Sequence, residues 1–196
     1  MKFFIFRVTI LMSSLFMFNV SSADISDKVF IDTVDISHKF QNYRLFKTGQ
    51  VVRTKYSFKV YALAHYLDIN SIKKINTPKD ILSSGATKQV KIVFLRNLRA
   101  KQIKNSFLKA IKVNLTKSEF LVIEKQVEYV LQFISQDVKK RNNLIINWFS
   151  DDTVEVHFKD LVIMVNDNQM FAKALWSIWF GEKSVINKLD LVNYNK

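Results

Sequence analysis

Glycine and proline are almost absent from this sequence, and their scarcity restricts the sites that the chain can build. Three glycines and one proline occur in 196 residues, where average usage would give roughly 14 and 10. No G-x-G-x-x-G or Walker-type run is present, which excludes a phosphate-cradling loop. Cysteine is absent, so disulfides, thiolate metal sites, iron–sulfur clusters and a cysteine nucleophile are ruled out. With 48% hydrophobic and 24% charged residues, the chain can bury a sizeable core.

The N-terminus has the features of a secretory signal peptide. A basic start and an apolar stretch over residues 8–18 precede small residues at Ser21 and Ala23, the −3 and −1 positions of a cleavage site. The apolar stretch is shorter than the about 20 residues of a membrane-spanning helix, although an uncleaved N-terminal anchor helix is the alternative. We therefore expect residues 1–23 to be removed and residues 24–196 to form a single domain. An exported protein without cysteine fits a bacterial periplasm, or secretion, better than a eukaryotic extracellular space.

The chain is strongly basic, with 30 Lys and Arg against 17 Asp and Glu. The cations are spread along the sequence, with the densest run at residues 139–141, and no aromatic–basic motif of the RNP type is present. We therefore expect no nucleic-acid partner. A solvated surface with weak attraction to an anionic membrane is the simpler interpretation.

Hydrophobic patterns predict an α+β fold, because strands come first and last and the helices are grouped between and after them. The predicted strands are residues 29–36, 40–46, 51–67, 89–96, 144–149, 153–159 and 161–165, with a turn at residues 48–50. Helices are predicted from Pro78, around residues 103–111, from Thr116, and over residues 169–180.

Catalytic and metal-binding motifs are not evident. His38, His65 and His157 are not at zinc-ligand spacing, and neither a G-x-S-x-G motif nor a telling pair of carboxylates occurs. His157 shares a strand face with Glu155, which is typical of a solvent-facing histidine. The three tryptophans lie in apolar segments and are predicted core residues. The sequence predicts no catalytic residue, no metal and no cofactor.

Residues 51–67 form the most informative stretch. In an extended chain, one set of polar residues shares parity and could occupy one face: Arg53, Lys55, Lys59, Tyr61 and His65. A solvent-exposed face of a half-buried sheet is the alternative. On one straight strand Arg53 and Tyr61 would be roughly 26 Å apart, so they can share a site only if the chain turns or bulges between them. Residues 55–57 (Lys-Tyr-Ser) are a poor turn sequence.

Five segments resemble the bacterial chalcone isomerase-like family in order and spacing: residues 52–55, 58–67, 94–96, 171–175 and 178–181. The resemblance implies an open-faced sandwich, in which a large antiparallel sheet is covered by a layer of helices and a ligand cleft lies between the two layers. In that family, plant enzymes close chalcones to flavanones by intramolecular oxa-Michael addition, and other members bind fatty acids without catalysis.

The resemblance also implies roles for individual residues. Arg53 matches the arginine that holds the substrate or carboxylate in both branches, and Tyr61 occupies a threonine position of the plant enzymes. Apolar residues replace the other catalytic groups: Ile103 stands in place of a tyrosine, Ala110 of an asparagine, and Ile178 of a serine or threonine. Losing these donors removes the means to order a water or stabilise an enolate. Arg53 and Tyr61 are therefore the predicted ligand-binding residues.

Three functions remain open. A non-catalytic, exported binder of a small apolar or carboxylate ligand, such as a fatty acid, is favoured. The alternatives are an isomerase or intramolecular lyase acting on an unknown substrate, and a structural or protein-interaction module with a filled cleft.

Overall fold

Seven antiparallel strands pair in the same order as they occur in the chain. The structure is a computed structural model that describes residues 29–75 and 77–192, so the predicted signal peptide lies outside the described residues. The strands are β1 (Thr33–His38), β2 (Gln41–Lys55), β3 (Phe58–Asp68), β4 (Lys88–Phe94), β5 (Asn143–Trp148), β6 (Val154–Phe158) and β7 (Leu161–Val165). The helices are α1 (Ile69–Ile72), α2 (Pro78–Ser83), α3 (Ala100–Lys112), α4 (Lys117–Phe133), α5 (Gln169–Phe180) and a final 3₁₀ turn (Lys188–Leu191).

The predicted helix starts are confirmed by their caps. At α4, the Thr116 hydroxyl accepts the Glu119 backbone N–H at 3.3 Å, and the Glu119 carboxylate accepts the Thr116 N–H at 2.7 Å. This reciprocal pair is a capping box, formed by the Thr-x-x-Glu pattern of residues 116–119 at the predicted helix start. At α5, the Asn168 side chain accepts the Phe171 N–H at 2.9 Å. Within residues 29–75 and 77–192, no helix has the length and apolar character needed to cross a membrane.

The predicted turn at residues 48–50 is wrong. Strand β2 continues through Gly49, with a register shift between Lys47 and Gly49. A Cβ on Gly49 would overlap the Asp190 carbonyl oxygen and would lie 2.6 Å from the Leu191 Cα. Glycine is therefore required here because two backbones approach each other closely. A close backbone approach is a common reason for glycine inside a strand.

The predicted single strand over residues 51–67 is also wrong, because the chain reverses at Tyr56 and Ser57. These two residues have φ angles of 49° and 65°. Two-residue hairpin turns of this kind favour glycine and asparagine, since other side chains are strained in the left-handed region. A Tyr-Ser pair carries no sequence signal for such a turn, and this is why the pattern predicted a continuous strand.

Helices cover one face of the sheet and enclose the main core. Trp148, Trp176 and Trp179 are fully buried in it, as predicted, and the Trp148 and Trp176 rings meet edge to face at 5.4 Å. Helix α5 is buried over most of its length. The opposite sheet face carries a smaller apolar cluster of Phe30, Leu45, Ala62, Ala64, Tyr66 and Val93. The predicted α+β fold, a large antiparallel sheet with a helical layer, is confirmed.

Candidate functional site: a cationic cleft beside the β2–β3 hairpin

The hairpin brings Arg53 and Tyr61 together. The two residues are direct cross-strand partners, and the register shifts between Arg53 and Thr54. Side chains directly opposite each other in an antiparallel pair have Cβ atoms about 4.5–5.5 Å apart. The separation expected on a straight strand is therefore removed by the turn at Tyr56 and Ser57.

Both residues line a cleft of about 290 Å³, which we call the hairpin cleft. It lies between the hairpin, the segment after β4 and helix α3. Its apolar lining comes from Phe58, Val60, Phe94, Leu98, Ile103 and Phe107. Its other lining residues are Arg53, Lys55, Tyr56, Tyr61, Arg96, Gln102 and Ser106. Three cations and no carboxylate therefore surround a largely apolar space.

The half-buried Arg53 has only a neutral partner within the described part of the chain. Its Nη1 donates to the Val185 carbonyl oxygen, in the segment that follows α5. No ion pair joins Arg53 to an acid among the described residues. A guanidinium has five N–H donors. Because the Val185 carbonyl accepts one of them and carries no charge, the other donors and the positive charge of Arg53 are available to an anion.

Tyr61 is positioned as a neutral hydrogen-bond donor. Its hydroxyl accepts the Trp179 Nε1–H at 3.1 Å, and only 8% of the residue is exposed. Burial raises the pKa of Tyr61, while the Trp179 hydrogen bond and the Arg53 charge act in the opposite direction. The hydroxyl therefore keeps its proton at neutral pH, and no residue in the described ranges accepts it.

The other members of the predicted polar face are divided. Lys55 lines the cleft, whereas Lys59 is not among the lining residues. His65 is fully buried, with its Nδ1 2.6 Å from the Thr48 hydroxyl and its ring edge to face with Phe180 at 4.7 Å. Burial holds the pKa of His65 well below its usual value. Parity on a straight strand therefore did not show which of these positions border the cleft, because the hairpin pairs Lys55 with Phe58 and Lys59 with Thr54.

Arg96 belongs to the cleft and was missed as a site residue. Its guanidinium lies 5.3 Å from the Phe58 ring centroid, in cation–π contact. A signal was available, because Arg96 has the same parity as the buried core residues Ile92 and Phe94. Continuing the inward face of β4 by one step would have pointed to Arg96.

The three apolar positions that replace catalytic groups are not equivalent. Ile103 lines the hairpin cleft, but Ala110 and Ile178 are buried in the core and are not among its lining residues. Gln102 and Ser106, on the same helix as Ile103, supply polar groups to the cleft. Helix α3 therefore places two hydrogen-bonding side chains near Ile103, the position where the resemblance implied the loss of a catalytic donor.

The remaining histidines contact carboxylates away from the cleft. His157 Nε2 lies 2.6 Å from Glu155 Oε1, in agreement with the predicted shared face. His38 Nε2 lies 3.0 Å from Asp151 Oδ2, and the His38 ring stacks on Phe149 at 4.0 Å. In the ranges that the structure describes, no group of three or more His, Asp or Glu residues could hold a metal ion.

Comparison with known proteins agrees with this architecture. The profile of a family described as chalcone isomerase-like matches residues 26–190. The chain belongs to the chalcone isomerase-like family. No curated protein matches the chain. Among solved structures, a fatty-acid-binding protein of Arabidopsis thaliana has a TM-score of 0.61 and 10% sequence identity, over 82% of this chain and 96% of that one. The likeness to the plant protein concerns the fold alone, and the family match confirms the chalcone isomerase-like part of the resemblance found in the sequence.

Proposed function

We propose that this protein is an exported, non-catalytic bacterial binder of a small carboxylate with an apolar body, held in the hairpin cleft. The observation that carries the proposal is the cross-strand pair of Arg53 and Tyr61 in a cleft whose lining includes three cations and no acid. The fatty-acid-binding protein of Arabidopsis thaliana, which has a similar fold, supports the same class of ligand.

The donor set suits a carboxylate. A guanidinium binds a carboxylate through two parallel N–H···O bonds, and Tyr61 can donate a third. Charge-assisted hydrogen bonds contribute about 1.5–3 kcal/mol each. The apolar lining then accepts the rest of the ligand, which supplies affinity through burial.

The volume of the cleft favours a short ligand. Small-molecule sites usually measure about 300–1,000 Å³, and the hairpin cleft, at about 290 Å³, lies at the lower limit. A long acyl chain would leave part of its length outside the cleft. We therefore expect affinity to rise with chain length only until the apolar space is filled.

Arg53 is tested by titration calorimetry with a series of straight-chain carboxylic acids. Arg53→Ala should weaken binding at least tenfold, and Arg53→Lys should recover only part of the loss, because an ammonium keeps the charge without the planar fork. Arg44→Ala is the matched control, since Arg44 lies on the same strand but pairs with Asp35 at 2.9 Å. Unchanged affinity in a correctly folded Arg53→Ala protein would refute the carboxylate site.

A catalytic function is the second candidate, because Gln102 and Ser106 offer hydrogen bonds beside Tyr61. We expect no acceleration of chalcone cyclisation above a small background, since removing one oxyanion donor alone costs about 10²–10³ in rate. Turnover that falls in Gln102→Ala and Ser106→Ala would instead assign the cleft to an isomerase or lyase. Native mass spectrometry that detects neither a retained ligand nor binding of any acid in the series would favour the interaction module.

Export is proposed from the sequence of the N-terminus. The mature chain should begin at Asp24, because Ser21 and Ala23 satisfy the small-residue rule for cleavage. N-terminal sequencing of the exported fraction tests this, and a chain that still begins at Met1 would contradict it.

A further inference from the structure

The β2–β3 tip, residues 55–59, presents two aromatic side chains to solvent. Tyr56 is 84% exposed and Phe58 is 62% exposed, on either side of Ser57. Both residues also line the hairpin cleft. The aromatic groups therefore stand at the mouth of an apolar space, where exposed apolar surface commonly marks an interaction site.

The charge around this tip is uniformly positive. Lys55 and Lys59 flank the two aromatics, and Arg96 lies over the Phe58 ring. Lys55 Nζ lies 5.5 Å from the Tyr56 ring centroid. Residues 49–67 contain neither Asp nor Glu. Within the described ranges, none of these three cations forms an ion pair.

We infer that the β2–β3 tip docks on the surface of an anionic phospholipid bilayer. Aromatic side chains with a polar edge or neighbour are favoured at the headgroup level, and binding grows with buried apolar area and attraction to anionic lipids. Each Lys or Arg near such a surface adds a favourable electrostatic contribution to the binding free energy, and this contribution decays within a Debye length. Docking places the mouth of the hairpin cleft against the bilayer, so an apolar ligand can pass between the two without crossing water.

A second hairpin tip provides an internal control. The β1–β2 tip, Lys39 and Phe40, also presents a fully exposed aromatic beside a lysine. Its charge is compensated, because Lys39 Nζ lies 2.7 Å from Asp151 Oδ2. It does not line the hairpin cleft. If exposed aromatics alone caused membrane binding, both tips would contribute equally.

The first test is co-sedimentation of the exported protein with vesicles made of equal parts phosphatidylcholine and phosphatidylglycerol, without added fatty acid. The double variant Tyr56→Ser/Phe58→Ser should bind at least tenfold more weakly, and Phe40→Ser should bind like the unmodified protein. Lys55→Gln/Lys59→Gln should lose roughly thirtyfold, from about 1 kcal/mol per cation. Lys73→Gln/Lys74→Gln removes the same charge at two exposed positions elsewhere and should have little effect.

These variants share one N-terminus, and circular dichroism verifies their fold, so only differences between them are interpreted. Binding to phosphatidylcholine alone should be weak. Failure to bind the anionic vesicles, which a protein-docking role for the tip would produce, overturns the inference. Equal losses in the two lysine pairs would also overturn it, because attraction would then follow net charge alone. The assay contains no carboxylate ligand, so its outcome is independent of the role proposed for Arg53.

The second test locates the contact by fluorescence. Tyr56→Trp should shift its emission to the blue on addition of the same vesicles and should be quenched by brominated acyl chains, while Phe40→Trp should do neither. The three native tryptophans are fully buried and give a common background. Equal responses at the two positions, or none at Tyr56→Trp, would contradict docking through the β2–β3 tip.

Discussion

The two hairpin tips of strand β2 have the same backbone and different surroundings. Each contains a two-residue turn with left-handed φ angles at both positions, 45° and 66° at Lys39 and Phe40, and 49° and 65° at Tyr56 and Ser57. Neither uses glycine. Each exposes an aromatic ring beside a lysine. Local geometry therefore does not distinguish them.

Distant contacts make the difference. The β1–β2 tip is hydrogen-bonded to the turn after β5, where Asp151 accepts hydrogen bonds from His38 and Lys39. These partners are more than a hundred residues apart in the sequence. The β2–β3 tip has uncompensated cations and opens onto the hairpin cleft. The comparison indicates that one tip stabilises the fold and that the other is available for binding.

The largest expected loss of stability comes from a substitution in β2, the strand that carries both tips. Gly49→Ala would push a Cβ into the backbone of the final 3₁₀ turn, and overpacking of this kind costs about 1–3 kcal/mol. Since backbone cannot move aside as a flexible side chain can, we expect a loss near the upper limit, measured by urea denaturation.

Gly85→Ala is the matched control. Nothing lies within 4 Å of a Cβ at that position, so its stability should change little. If Gly49→Ala were equally well tolerated, the C-terminal turn would not hold the centre of β2, and the two tips could not be treated as fixed ends of one strand.

A smaller effect is expected from Asp151→Asn, which removes a partner of the β1–β2 tip and leaves the β2–β3 tip unchanged. Partial burial favours a raised pKa for the Asp151 carboxyl, but hydrogen bonds from Lys39, His38 and Thr153 outweigh it and hold the pKa well below its usual range. Removing the charge should lower the free energy of unfolding by about 1 kcal/mol, given that the site is partly exposed. Lys55→Gln, at the other tip, should leave stability within about 0.5 kcal/mol.

The Asp151 contribution also has a definite dependence on pH. Its folded-state pKa lies below the unfolded value, so its stabilisation is present above about pH 4 and is lost as the pH falls through the folded-state pKa. Urea denaturation of Asp151→Asn and the unmodified protein should therefore differ at neutral pH and converge in acid. A constant difference in the free energy of unfolding across this pH range would show that the carboxylate charge does not stabilise the β1–β2 tip.

The smallest change in the free energy of unfolding is expected from glycine substitutions in the two turns, and it should be equal at both tips. Ser57→Gly and Phe40→Gly each relieve a left-handed residue, a strain of about 1–2 kcal/mol that glycine's greater freedom in the unfolded chain partly offsets. We expect each to raise the free energy of unfolding by about 0.5–1 kcal/mol. Vesicle binding should be lost in neither, because Tyr56 and Phe58 are retained in the first variant and Phe40 is outside the docking surface. Unequal gains in stability would show that the two turns are not equivalent in the backbone.

Helix starts and the alternating strands near the C-terminus were predictable because their determinants are local. The capping box at Thr116, Asn168 before α5 and the alternation over residues 154–158 each depend on a few neighbouring residues. The hairpin at Tyr56 and Ser57 could not be predicted in this way, because nothing in those two side chains favours a left-handed turn. Gly49 was misread for the related reason that its neighbour, Leu191, is distant in sequence.

By itself, the sequence determined the α+β class, the buried tryptophans, the family resemblance and Arg53 and Tyr61 as candidate ligand contacts. Hydrophobic periodicity and capping operate within one or two turns of chain, so they can be read without knowing the fold. Only the tertiary structure decided that Arg53 faces Tyr61, and that Asp151 compensates the charge of one tip and leaves the other cationic. These outcomes depend on strand register and on contacts across more than a hundred residues, which no local pattern encodes.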